Sequence, residues 1–140
     1  MKLRKIIFLI TVSVMLMSSV AANAVEVTPY LKIARDYEAN AIKATKNWVG
    51  KTICIEAEVV KLYIGDKGNA VVQVFRKDTL NSLRGAEYLF SFDGIPDEVT
   101  EIEKGDTVKI SGRVFKLRWK SFGFRGDILL VRSASSHIVK

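Results

Sequence analysis

Cysteine and histidine are nearly missing from this chain, with Cys54 and His137 the single examples in 140 residues. One cysteine excludes an internal disulfide framework, and one of each cannot furnish the usual ligand set of a zinc site. The two also lie far apart in sequence, and nothing marks them as nucleophile and base. There is no P-loop or dinucleotide glycine motif. The carboxylates from Asp93 through Asp106 lack calcium-loop spacing and read as a solvated surface. Internal repeats and low-complexity segments are absent as well. With no catalytic constellation and no cofactor motif, the chain is expected to be a binding or structural protein rather than an enzyme, and to work without a cofactor. Long apolar runs are also lacking. The stretch Ile6 to Met17 falls short of the roughly 20 residues a membrane-crossing helix needs.

What that stretch does resemble is the centre of an export signal. Lys2, Arg4 and Lys5 precede it, and small residues lead from it to Ala22-Asn23-Ala24, the pattern a signal peptidase accepts. Residues 1–24 are therefore expected to be a cleaved leader, the alternative being an uncleaved anchor. No cysteine adjoins the cut to accept a lipid, so the mature protein is expected in a periplasm or outside the cell with no stable membrane anchor. Cleavage removes three basic residues and no acidic ones, which takes the net charge from +7 to +4 on 116 residues. A mild positive charge favours anionic partners without specifying one. A chain of that length makes one domain with a core that needs no staple. Cys54, within the β-forming run Thr52-Ile53-Cys54-Ile55, reads as a shielded thiol acting as a small apolar residue.

Along the mature chain the apolar period changes once. Between Thr28-Pro29, a capping pair, and Gly50, a terminator, Tyr30, Ile33, Ala34, Tyr37, Ala41, Ala44 and Trp48 recur at spacings of three and four. Residues 25–50 are thus predicted to hold one amphipathic helix of about five turns, packed on the domain that follows. From Lys51 to Lys140 the period is two. Ile53, Ile55, Ala57 and Val59 share one side of a first strand, and after a slip at Val60 the alternation continues through Leu62 and Ile64 on the opposite parity, as a bulge would require. A turn at Gly65 to Asn69 leads into a second strand, Ala70 to Phe75. A third strand, Ala86 to Phe92, carries Tyr88, Phe90 and Phe92 on one parity. A short helical turn or ordered loop lies between Pro96 and Lys104. The next strand alternates through Val108, Ile110, Gly112 and Val114, then shifts phase to Phe115, Leu117 and Trp119, with Gly112 placed to permit a bend. A last strand spans Asp127 to Arg132. Five strands, the first and fourth long and bent, match the mainly β, five-stranded Greek-key barrel of the OB-fold, with an SH3-like barrel or an open meander as alternatives.

Three segments resemble a known group, the tRNA_anti-like family of exported bacterial proteins. They are Tyr37-Glu38-Ala39-Asn40 leading through Ala44 to Trp48-Val49-Gly50-Lys51, the strand Thr52 to Leu62, and Lys104 to Val114. The resemblance implies a leading helix and an OB-type barrel. It implies no catalytic residue, because the group has no established biochemical role.

The strongest candidate site is Lys116 to Arg125, where basic residues interleave with aromatics at the junction of the last two strands. Arg118, Trp119, Lys120, Phe122, Phe124 and Arg125 would contact the ligand there, with Lys67 reaching in from the first hairpin. Aromatic faces stack on bases or sugars, and cations meet phosphates or acidic sugars. The same residues can instead cap the core, with the basic groups giving solubility. Two functions stand at this point. One is a module for an anionic polymer or carbohydrate, oligosaccharide or nucleic acid. The other is an interaction or structural module that docks on a protein of the cell envelope.

Overall fold

The computed structural model describes residues 26–76, 85–121 and 127–140. The expected leader and its cut lie outside the described residues. Both phase slips read from the sequence mark bulges. β1 (Thr52–Ile64) pairs with β2 (Ala70–Phe75) through its second half, and its register shifts between Val59 and Lys61. Because the extra residue, Val60, reverses the parity, Val59 and Leu62 both pack with the core cluster. β3 (Gly85–Ser91) runs antiparallel to β2. β4 (Thr107–Ser121) pairs with the first half of β1 and with β5 (Asp127–Val139), which in turn lies parallel to β3. The strands close in the order β1-β2-β3-β5-β4, which is the five-stranded Greek-key barrel of the OB-fold. β5 is longer than predicted. It continues through the polar tail to Val139 because Ala134, His137 and Ile138 find partners on β4.

The single helix expected before the barrel is two. α1 (Lys32–Ala39) stops at Asn40, whose backbone is extended and whose side chain accepts from the Lys43 N–H at 3.0 Å to start α2 (Ala41–Trp48). Asparagine competes for backbone groups in this way, so it starts helices better than it continues them. Beyond the break the predicted stripe holds at Ala44, which is buried, and at Trp48, which packs against the core, but not at Ala41, which is exposed. Trp48 Nε1 donates to Asp36 Oδ2 at 2.9 Å and ties the two helices together. Burial would raise the Asp36 pKa, but the hydrogen bonds from Trp48 and Lys32 outweigh it and hold the carboxyl below its ordinary value. Gly50, at φ +90°, ends α2 and turns the chain into β1.

Tyrosines fasten this helical segment to the barrel. The Tyr30 hydroxyl donates to the Ala86 carbonyl at 2.7 Å, the Tyr88 hydroxyl donates to the Tyr30 carbonyl, and the two rings meet edge to face at 5.1 Å. Both hydroxyls are therefore satisfied in a dry interior, and burial pushes the Tyr88 phenol well above its usual range. Ile33 of α1 joins the barrel cluster, and Val99 of α3 (Asp97–Thr100), the short element between β3 and β4, joins it too. Gly112 leaves room for the core at the β4 bend. A Cβ there would sit 2.7 Å from Ser136 Oγ and 2.9 Å from the Phe90 ring. Cys54 is buried as expected, and desolvation pushes its thiol up.

Candidate polyanion-binding face

Alternation on the bent strands sorts charge from core. On β4, Leu117 and Trp119 pack inward, so Lys116, Arg118 and Lys120 project outward. On β5, Leu129 and Val131 are in the core and Arg132 is outside. Likewise Gln73 of β2 and Glu87 of β3 project to the outer side, between inward Val72, Val74, Ala86 and Tyr88. Lys61 of β1 follows the first bulge and is also exposed. Register then joins them into one surface, for Lys61 lies opposite Gln73, Arg132 opposite Lys116, and Leu130 opposite Arg118.

At the centre of this surface sits one carboxylate. Glu87 is only 2% exposed and is flanked by Phe75, Ile128 and Leu130, which are buried as well. Its Oε1 accepts from Gln73 Nε2 at 2.6 Å, while Oε2 has no hydrogen-bond partner among the described residues and lies 3.9 Å from Lys120 Nζ. Burial raises its pKa, and Lys120 and then Lys61 pull it partly back. Both lysines therefore act on the same group from opposite sides of the surface. Because the folded pKa exceeds the unfolded one, the native state holds the extra proton between them, and stability falls as pH rises through the folded value. Glu87→Gln is expected to match the parent below pH 4 and to exceed it at pH 8 by about 1 kcal/mol in urea unfolding, the scale of one poorly satisfied buried group. Equal pH profiles for the two proteins would show that Glu87 carries no such penalty.

The described members of the predicted site, Lys67, Arg118, Trp119 and Lys120, do not gather in one place. Arg118 and Lys120 share the outer face, whereas Trp119 lies on the other side of β4, half-buried, with its ring edge-on to Tyr37 at 5.5 Å. Phe115 departs from the parity predicted for it. It is the extra residue of a bulge between Val114 and Lys116, and it stays 47% exposed while Leu117 and Trp119 turn inward. Lys67, in the β1–β2 turn, lines a cleft with Phe115 rather than with the end of β4. Phe122, Phe124 and Arg125 lie outside the described residues. Lys61, Arg132 and Glu87 were not singled out from the sequence. Their outward parity was readable, but the pairing that brings three distant strands onto one face was not. Among the described residues, no group of three or more His, Cys, Asp or Glu side chains could hold a metal ion.

No family model matches the chain, and no curated protein matches it. Among solved structures it is similar to the crystal structure of a "putative nucleic acid-binding lipoprotein" from Klebsiella pneumoniae. The likeness has a TM-score of 0.60 at 16% identity, covering 88% of this chain and 97% of the other. At that identity the likeness bears on the fold.

Proposed function

We propose that this protein is an exported, non-catalytic OB-fold module that holds an anionic polymer along the exposed cations on the outer side of the barrel, chiefly those of β4 and β5. The observation that carries this reading is the placement of Lys61, Lys116, Arg118, Lys120 and Arg132 on one surface. The outward residues between them, Phe75, Glu87, Ile128 and Leu130, are buried, so a polyanion would follow the exposed cations around that covered centre, drawn by their charge. Support also comes from the structural neighbour, which is named for nucleic-acid binding, and from the leader-like N-terminus, which fits an exported protein.

Salt dependence tests the proposal. Binding of the purified protein to single-stranded nucleic acid and to an acidic polysaccharide should weaken with salt, with log K against log salt falling at a slope of about −2 to −3.5 for three to five neutralised charges on a single strand. A flat salt response would move the ligand off this face.

A second reading has its own observation. Leu62, Tyr63, Ile64, Val71, Ile95 and Val99 line an apolar groove at the β1–β2 hairpin, and Ile64 and Ile95 of that lining are 59% and 54% exposed. Such a groove suits an interaction module that docks on an envelope protein, and it predicts binding that salt barely changes.

A further inference from the structure

A cleft of roughly 520 Å³ opens beside the basic face, in the size range of small-ligand sites. Its walls come from four stretches far apart in sequence: Lys67 and Asn69 of the first turn, Ser91 at the end of β3 with Asp93 just beyond, Phe115 of β4 and Ser135 of β5. Ser135 has φ 50°, a left-handed backbone that non-glycine residues adopt at a cost and that concentrates at binding sites. The Arg132 guanidinium lies over the Phe115 ring, 5.8 Å from its centroid. Phe115 therefore belongs both to the cleft and, through Arg132, to the cationic surface.

We propose that this cleft receives one base of a single-stranded nucleic acid whose phosphates run along the basic face. The inference rests on the polyanion reading and narrows its ligand. A half-exposed phenyl ring paired with a guanidinium presents flat surfaces, which stack well on a planar base. Asp93 disfavours a phosphate inside the cleft and offers an acceptor to a base amino group, while Ser91, Ser135 and Asn69 add neutral hydrogen-bonding groups. Phosphates are left to Arg132, Lys116 and Arg118 outside it. The bulge explains why Phe115 can serve. Without the extra residue it would follow the inward parity of Leu117 and Trp119.

The experiment compares three probes on the purified protein at fixed salt: an oligodeoxycytidylate of about twelve residues, within the span of one OB-fold, an abasic strand of equal length, and an acidic polysaccharide. The base-bearing strand should bind about tenfold tighter than the abasic one, the scale of a single base–aromatic stack. Phe115→Ala should erase that preference and leave abasic binding and its salt slope unchanged. Asp93→Asn should reduce the preference a few-fold, and because both side chains are exposed, circular dichroism should match the parent. Equal, salt-sensitive binding of both strands by the parent would overturn the base site and leave the basic face standing. Equal weakening of both strands by Phe115→Ala, or a preference for the polysaccharide, would also overturn the base site. Binding of none of the probes would remove both proposals.

Discussion

Replacing Lys116 and Arg118 together by glutamate is expected to weaken polyanion binding at low salt by about a hundredfold. Each reversal removes an attraction and adds a repulsion, and juxtaposed like charges at an interface cost several kcal/mol. Every 1.4 kcal/mol is about tenfold in affinity, so two screened, exposed positions reach a hundredfold without any structural change. The salt slope should flatten by about 1.4, the share of two charges on a single strand. The neutral pair Lys116→Gln, Arg118→Gln should fall between parent and reversal. Both residues are exposed and project away from the core, so their removal should alter folding stability by no more than about 0.5 kcal/mol. Titration of parent, neutral and reversed proteins against the same polyanion checks the ordering. Unchanged affinity in the reversed protein would show that the polymer, if bound, lies elsewhere.

Phe90→Ala is expected to cost about 3–5 kcal/mol in urea unfolding, a large share of the 5–15 kcal/mol that a domain of this size has to lose. Phe90 has no exposed surface, lies parallel to Tyr88 with centroids 6.3 Å apart, and fills the space opposite Gly112. Removing the ring leaves a cavity between β3 and β4 that the closed barrel cannot collapse, because five hydrogen-bonded strands hold its walls apart. Phe115→Ala is the control. Its ring is 47% exposed, and its loss should cost under about 1 kcal/mol. Similar losses at the two positions would mean that Phe115 packs more deeply than its exposure indicates.

Those two phenylalanines show where reading the sequence succeeds and where it stops. Phe90 sits in an unbroken alternation with Tyr88 and Phe92, and all three are buried as that alternation predicts. Phe115 follows a phase slip, and a slip admits two parities. Only the pairing of Val114 with Ser133 and of Lys116 with Arg132 establishes that Phe115 is the residue left over. The helix break at Asn40 is similar. The periodicity on either side was continuous enough to suggest one helix, but a side chain that caps one residue's N–H three positions on decided otherwise.

The candidate face divides in the same way. Arg118 and Lys120 were legible as basic residues among aromatics, and their outward direction follows from the apolar residues between them. Trp119 was legible in two ways, as a ligand contact and as an inward residue alternating with Leu117, because an aromatic–basic alternation looks the same whether a ligand or Tyr37 receives the ring; the structure gives the inward one. Lys61, Glu87 and Arg132 lie on three strands with no sequence proximity, and only barrel closure sets them around one another.

By itself the sequence determined the strand order along the chain, the two bends, the buried parity of β1 and β3, and the excess of positive charge, since each follows from local period and composition. The tertiary structure alone decided which strands pair, how Phe115 escapes the core, and why a carboxylate lies buried among lysines. Register is a relation between distant segments, settled by how the whole core packs, and no local pattern contains it.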